Sequence, residues 1–349
     1  MQLYNKLNSK ESEILIDSRG LKRITLSFYK YVKIENPKFF RDFFFINLND
    51  LNCLGRIYIS AEGINAQMSL PTINFKKFKS FIKSISFFEK LRLNIAVGQS
   101  NKSFLKLTIK VKEKIVADGI IDKNFDPSKS GKHINAKEFN ELLSRKNTIC
   151  IDMRNHYESE IGKFKGAVTP DVDTFRDSLP LIEKEFSKFK SNKNLVMYCT
   201  GGIRCEKASA YMKHKGFKKV YQLKGGIIEY FRQVKVQGIN NLFMGKNFVF
   251  DQRKAERISE HIISNCHQCG SPSDSHINCA NESCHLLFIQ CESCRLKMQN
   301  CCSKECIEVI NLPEQEQKNL RKGKKNSNKI FKKGRSKNLK FKLKSQKSI

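Results

Sequence analysis

The stretch Leu195–Met212, which reads LVMYCTGGIRCEKASAYM, holds the residues of this chain whose types and spacing could do chemistry. Cys199 stands between an apolar run that predicts a buried strand and a segment that predicts a helix. A thiol at such a turn faces the free N–H groups of the helix N-terminus, which stabilise the thiolate and lower the pKa. Gly201 and Gly202 let successive amides converge on one anion. We predict that Cys199 is a nucleophile; the alternative is a structural cysteine before an ordinary turn.

Two neighbours of Cys199 bear on this prediction. Arg204 adds a fixed positive charge that could pair with an anionic substrate or with a loop carboxylate, and we predict it as the second catalytic residue. Cys205 has two interpretations, a resolving thiol that captures an oxidised Cys199 or a small buried helix residue. The sequence leaves both open.

The composition limits the class of protein. A chain of 349 residues predicts two or three domains. Met1–Lys10 does not read as a secretion signal and no long apolar run predicts a membrane span, so the thirteen cysteines indicate thiols and metal ligands in a reducing cytoplasm. The net charge of +31 predicts a polyanionic partner, first of all nucleic acid, although AT-biased coding could also enrich lysine.

The first part of the chain, 1–118, is predicted to be an α+β domain. After a polar lead-in over Met1–Arg19, strands alternate with helices that begin near Asn36-Pro37 and at Phe75. The predicted strands are Ile24–Val32, Gly55–Ser60 and Phe104–Lys112. This order fits a small ferredoxin-like sandwich. Gly63 reads as a turn or bulge, and residues 119–132 read as a linker.

The second part, 133–240, is predicted to be an α/β domain with a parallel sheet. A strand over Thr148–Asn155 ends in Asp152-x-Arg154, and the strand before Cys199 ends at the loop. Because ligand sites lie at the carboxyl ends of parallel strands, these three residues could share one crevice, with Asp152 and Arg154 holding the loop. The Asp-x-Arg strand end and the C-x-x-G-x-R loop together resemble the rhodanese domain. In rhodaneses the cysteine at the position of Cys199 carries a persulfide, and the short loop disfavours a phosphatase.

Nine of the thirteen cysteines fall within a third region, 241–311. Two C-x-x-C pairs separated by 21 residues predict a structural zinc site, with the ligands Cys266, Cys269, Cys291 and Cys294. A second site could draw on the remaining cysteines, with a histidine as substitute: Cys279, Cys284, Cys301, Cys302 and Cys306, or His267, His276 and His285. An iron–sulfur cluster, free thiols and disulfides are the alternatives.

The last part, 312–349, is predicted to be a basic disordered tail. From Lys318 to Ile349 it carries fourteen Lys and Arg residues and no Asp or Glu. Such a tail would strengthen RNA binding through counterion release, without preference for sequence.

Four segments in order resemble one family, the bacterial tRNA uridine hydroxylases (TrhO). They are Ser60–Asn65 (SAEGIN), Asp152–Glu158 (DMRNHYE), Cys199–Cys205 (CTGGIRC) and Cys266–Gly270 (CHQCG). The resemblance implies an oxidoreductase that hydroxylates uridine 34, the wobble position, in the anticodon loop of tRNA to 5-hydroxyuridine. It also implies molecular oxygen as co-substrate.

Other functions remain open from the sequence. No flavin or nicotinamide fingerprint identifies the reductant, and Cys199 could act as a thiolate, a persulfide or a sulfenate. A rhodanese-type sulfurtransferase would use the same cysteine through its persulfide. A scaffold that only binds RNA would not need it.

Overall fold

The computed structural model describes residues 7–122, 124–322 and 339. Three sheets of three or more strands and a two-stranded hairpin organise this part of the chain. None of its helices combines the length and the hydropathy that crossing a bilayer requires.

The N-terminal part contains one five-stranded sheet. Its elements are α1 (Ser9–Arg19), β1 (Arg23–Tyr31), α2 (Pro37–Asp50), β2 (Leu54–Ser60), β3 (Gly63–Pro71), α3 (Phe75–Ser84), β4 (Asn94–Ile95) and β5 (Leu107–Val111). The strand order is β4-β1-β3-β2-β5. The first four strands and their two helices follow the ferredoxin-like arrangement, so the predicted fold class is confirmed here. Strand β5 extends the sheet by pairing parallel to β2.

Two local expectations for this part were wrong. The lead-in to Arg19 contains α1, which begins with a capping box between Asn8 and Glu11 that its polar composition concealed. The segment after Gly63 is the full strand β3, and Gly63 itself begins it at the end of a hairpin with φ +141°. A side chain at Gly63 would collide with the backbone of Lys30 in β1.

The two faces of this sheet differ in composition. One face packs a core rich in phenylalanine against α2 and α3, including Phe40, Phe44 and Phe78. Along β2, Ile57 and Ile59 are buried on that face, while the alternate residues belong to the opposite face. That opposite face is more polar and lies toward the second part of the chain.

The second part is an α/β domain around a four-stranded sheet. Its elements are β6 (Lys132–Ile134), α4 (Ala136–Leu143), β7 (Thr148–Asp152), α5 (His156–Ser159), β8 (Gly162–Phe164), α6 (Phe175–Phe186), β9 (Asn194–Tyr198), α7 (Ile203–His214), β10 (Val220–Leu223) and α8 (Gly226–Gln237). Strands β6, β10, β9 and β7 lie in that order and all pair in parallel. The predicted parallel sheet is thus confirmed. Pro180 lies inside α6.

The third part extends the second. Its elements are β11 (Phe243–Phe248), β12 (Ala255–Arg257), β13 (His276–Asn278), β14 (Leu287–Ile289), α9 (Glu292–Lys297), α10 (Lys304–Ile310) and α11 (Glu314–Arg321). Strand β11 pairs antiparallel with β8, which joins this part to the α/β domain. Helix α11 contradicts the prediction of disorder at the start of the segment 312–349. The residues after α11 lie outside the described part of the chain, apart from Lys322 and Leu339.

A buried lysine ties the first part to the second. Lys207, on α7, is 1 % exposed and pairs with Asp118 at 2.5 Å and with Glu62 at 2.8 Å. Glu62 also accepts a hydrogen bond from the Ile115 amide at 2.7 Å. The acidic residue of the SAEGIN segment therefore docks the hairpin of the first domain onto the helix that follows Cys199.

Replacing Lys207 with methionine should destabilise the protein, because two carboxylates would lose their shared buried cation. We expect the free energy of unfolding, measured by urea titration, to fall by about 3–5 kcal/mol, the cost of breaking a buried pair. The exposed Lys213 on the same helix is the matched control, and Lys213→Met should change stability little. Equal effects of the two substitutions would contradict a docking role for Lys207.

Candidate active site

Cys199 lies at the carboxyl end of β9, and α7 begins four residues later. Between them Gly202 adopts φ +103°, a conformation that glycine allows at no steric cost. Its amide donates to the Cys199 Sγ atom at 3.2 Å. The structure therefore forms the predicted turn, in which backbone N–H groups point at the sulfur.

The surroundings of Cys199 favour its anion. Burial alone would raise the pKa, but hydrogen bonding from the Cys205 thiol, the charge of Arg204 and the amides of Gly202 and Arg204 together lower the pKa to about 6. Burial and the bond to Cys199 raise the pKa of Cys205 well above its ordinary value. Cys205 therefore keeps its proton and serves as a donor, while Cys199 is largely a thiolate at neutral pH.

Arg204 is engaged by a carboxylate of the protein. Its guanidinium makes two hydrogen bonds to the Glu158 carboxylate, at 2.6 and 2.8 Å, and both residues are buried. Burial would raise the pKa of Glu158, but the Arg204 charge and hydrogen bonds outweigh it and hold that pKa below its usual range. Of the two partners predicted for Arg204, the loop carboxylate is the one observed. Arg204 thus acts on Cys199 through its charge and holds the loop.

Asp152 and Arg154 form a second buried ion pair, which contacts the backbone of Glu158. The Arg154 guanidinium binds the Asp152 carboxylate at 2.6 and 2.9 Å and donates to the Gly162 carbonyl at 2.6 Å. It also donates to the Glu158 carbonyl at 3.4 Å. These contacts, together with a hydrogen bond between Tyr198 and Asp152, are made within the protein, which agrees with the predicted role of holding the loop.

A cavity of about 320 Å³ lies between Cys199 and the polar face of the first sheet. The sheet contributes residues of four strands, and in β2 and β3 these are alternate residues, which therefore point to one side. The cavity is lined on the sheet side by Ser27, Phe28, Tyr29, Arg56, Tyr58, Asn65, Gln67 and Asn94. On the other side it is lined by the loop, by Phe250, and by Ile115 and Val116. Sequence analysis missed these sheet residues, although in β2 and β3 their alternation with apolar residues was a visible signal.

The first domain also fixes the start of α7. The Tyr29 hydroxyl donates to Glu206 at 2.9 Å, and the Tyr31 hydroxyl donates to the Ile203 carbonyl at 3.3 Å. A Cβ atom at Gly202 would lie 2.8 Å from the Tyr29 oxygen, and the φ of +103° would strain any other residue, so both features favour glycine. Residues of both domains thus fix the loop that follows Cys199.

The cysteines of the third region form two sets of four. They are Cys266, Cys269, Cys291 and Cys294, and Cys279, Cys284, Cys302 and Cys306. Within each set all Sγ atoms lie within 4.8 Å of one another. Neither set includes a histidine or Cys301; His267 instead contacts Glu160 at 2.7 Å.

The sulfur spacing fits a tetrahedral metal ion. Zinc–thiolate bonds of about 2.3 Å would place the sulfurs of a regular tetrahedron about 3.8 Å apart. The Cys269–Cys291, Cys284–Cys302 and Cys302–Cys306 sulfurs lie 3.6, 3.6 and 3.8 Å apart. A multi-iron cluster binds its cysteines through different iron atoms and would hold the sulfurs farther apart. Both sets therefore fit single ions.

The ionised state of Glu158 predicts how stability depends on pH. Because the pKa of Glu158 is lowered in the folded protein, its ionised carboxylate stabilises the fold above the unfolded pKa of about 4.3. This stabilisation is lost as the pH falls through the pKa of the folded protein. Glu158→Gln should remove this dependence, making the unfolding free energy fall less steeply below pH 5, by up to about 1.4 kcal/mol per pH unit. Urea titrations at several pH values would measure it. Glu141→Gln, at an exposed site on α4, should leave the slope unchanged; an unchanged slope in Glu158→Gln would contradict the pairing.

Three protein families match consecutive parts of the chain. Residues 23–115 match the UPF0176 acylphosphatase like domain, residues 135–233 the rhodanese-like domain, and residues 244–307 the family described as rhodanase C-terminal. The chain is also similar to a solved rhodanese-like domain from Anabaena sp., with 20 % identity and a TM-score of 0.27 over 32 % of this chain and 78 % of that one.

Curated relatives match nearly the whole length. A tRNA uridine(34) hydroxylase from Photorhabdus laumondii is 51 % identical over 334 residues, which cover 95 % of each chain. A protein of the same name from Pectobacterium carotovorum is 49 % identical over 95 % of this chain and 94 % of that one. The relative from Yersinia pestis is 47 % identical with the same coverage. The chain belongs to the tRNA uridine(34) hydroxylase family.

Proposed function

We propose that this chain is a tRNA-modifying oxidoreductase that hydroxylates C5 of uridine 34, the wobble uridine. The observation that carries the proposal is a buried thiolate, Cys199, that opens onto a cavity of about 320 Å³ in a member of this family. Such a cavity accepts a single base taken out of the anticodon loop, and a thiolate is the nucleophile that pyrimidine C6 requires.

The reaction begins with the sulfur. The Cys199 thiolate adds to C6, which forms a C–S bond and moves negative charge to O4 and C5 of the ring. Loop amides stabilise the charge on the ring oxygen. Arg204, whose two hydrogen bonds go to Glu158, keeps Cys199 ionised and positions the loop.

The remaining steps balance as a two-electron oxidation. C5 takes one atom of molecular oxygen, and the other leaves as water with two electrons and two protons from a reductant. Loss of the C5 proton and of the Cys199 sulfur restores the C5–C6 double bond. The products are 5-hydroxyuridine, water and the free thiolate. The reductant is an external electron donor.

Sulfur transfer through a Cys199 persulfide is the second candidate, since residues 135–233 match the rhodanese-like domain. The relatives that match over 95 % of the chain bear the name of a hydroxylase, which favours hydroxylation. The two activities separate experimentally, because a sulfurtransferase would form thiocyanate from thiosulfate and cyanide.

The RNA would approach along the edge of the first sheet. Lys106, Lys110 and Lys112 alternate with apolar residues at β5, and Lys110 pairs in register with the cavity residue Tyr58. Basic side chains there would bind phosphates of the anticodon loop, and the tail beyond residue 322 would add unspecific affinity. We place the reaction in the cytoplasm, where tRNA and reduced thiols occur together.

We further propose that both cysteine sets hold structural zinc. Four thiolates per ion leave no open coordination position, which is typical of structural sites. When bound, the metal would supply folding energy to the third region. The contact of His267 with Glu160 then links this region to α5 and the Glu158 loop.

Cys199→Ala should abolish 5-hydroxyuridine in tRNA, because the variant lacks the sulfur that adds to C6. The measurement is mass spectrometry of nucleosides from a deletion strain that expresses the variant. Cys150→Ala, which removes another buried thiol of the same domain, is the control and should retain the modification. Normal 5-hydroxyuridine in the Cys199→Ala strain would reject the proposed role of this sulfur.

Purified protein should contain two zinc ions per chain, measured by elemental analysis. Cys302→Ser should lose one of them, since Cys302 belongs to the second set. The adjacent Cys301 lies outside both sets, and Cys301→Ser should keep both ions. One ion in the wild type, or equal loss in the two variants, would contradict the second site.

A further inference from the structure

Asn94 lines the cavity and carries a buried hydrogen-bond acceptor that no residue in the described part of the chain uses. The residue lies on the short strand β4, is 2 % exposed and lines the cavity beside Cys199. Its Nδ2 atom lies 3.5 Å from the Gly201 carbonyl, which orients the carboxamide against the loop. Among the described residues, its Oδ1 atom has no hydrogen-bond partner. A buried acceptor without a donor is costly, so this position calls for a ligand donor.

The strand register places Asn94 at the end of a polar row across the sheet. Asn94 pairs with Ser27, Ser27 pairs with Gln67, and Gln67 pairs with Arg56. Arg56 is exposed, so the row runs from a buried amide to a cation at the surface. This arrangement suits a nucleotide, with its base inside and its phosphate outside.

A second row supplies aromatic surfaces. Tyr29 pairs with Asn65, which pairs with Tyr58, and all three line the cavity. The bond from Tyr29 to Glu206 fixes that ring, and Phe250 faces the sheet from the other side. Proteins that bind single-stranded RNA on a sheet use aromatic residues in this way to stack bases.

We propose, on the basis of the proposed function, that this cavity is the uracil pocket and that Asn94 determines its specificity. The Asn94 Oδ1 atom accepts a hydrogen bond from N3–H of the uracil, between aromatic walls. Cytosine has a lone pair at N3 in place of this donor, so it would face the same oxygen with repulsion. In the ring, N3 lies opposite C6. An anchor at N3 therefore sets the distance and the orientation at which C6 meets Cys199.

The test measures binding, which needs no reductant. Full-length protein is titrated with synthetic anticodon stem-loops that carry uridine or 3-methyluridine at the wobble position. The methyl group removes the N3 donor and leaves the rest of the RNA unchanged. We expect the wild type to bind the uridine RNA roughly 10-fold to 100-fold more tightly, the range for a buried polar group left unpaired. Asn94→Ala should bind both RNAs with similar, weak affinity.

Asn247→Ala is the matched control, because Asn247 is also a buried asparagine but does not line the cavity. It should retain the preference for uridine. Wild-type protein that binds both RNAs equally, or Asn94→Ala that keeps the preference, would overturn the assignment. Nucleoside analysis of cells that express the wild type tests hydroxylation separately. If 5-hydroxyuridine is present but the protein does not discriminate at N3, only the role of Asn94 is rejected. If 5-hydroxyuridine is absent, the proposed function is rejected.

Discussion

A buried chain of charges holds the candidate active site together. Asp152 pairs with Arg154, Arg154 donates to the Glu158 backbone, and Glu158 pairs with Arg204 beside the Cys199 sulfur. Each charge is removed from water, which is costly unless an opposite charge and hydrogen bonds replace the solvent. In this chain each charge is paired with an opposite charge, and the guanidinium of Arg204 is therefore held in place beside the sulfur. The ionised thiol depends on hydrogen bonds from Cys205 and the loop amides together with this fixed charge, because burial alone would raise its pKa.

The site also depends on contact between two domains. The α/β domain provides the sulfur and the amides, whereas the ferredoxin-like sheet provides the walls of the cavity and the tyrosine that lies over Gly202. The buried Lys207 joins the two through Glu62 and Asp118. A rhodanese-like domain alone would therefore lack the sheet face that forms one wall of this cavity.

Local sequence predicted the parts of the site that adjacent residues build. The loop at Cys199, the parallel sheet and the sulfur pairs of the third region all follow from short motifs. The pairing of Arg204 with Glu158 does not follow from a short motif, because the two residues meet only after folding brings two strand ends together. Asn94 was missed because it lies on a two-residue strand that sequence periodicity cannot detect. Helices α1 and α11 were missed because both are mostly polar, and polar helices lack an apolar stripe.

The ionisation of Cys199 is the central claim, and a pH titration of this thiol tests it most directly. Alkylation of Cys199 by iodoacetamide, followed by mass spectrometry of the peptide that contains it, gives the pKa from the dependence of the rate on pH. The structure predicts a midpoint near pH 6. A midpoint near the ordinary cysteine value of about 8.5 would contradict the account.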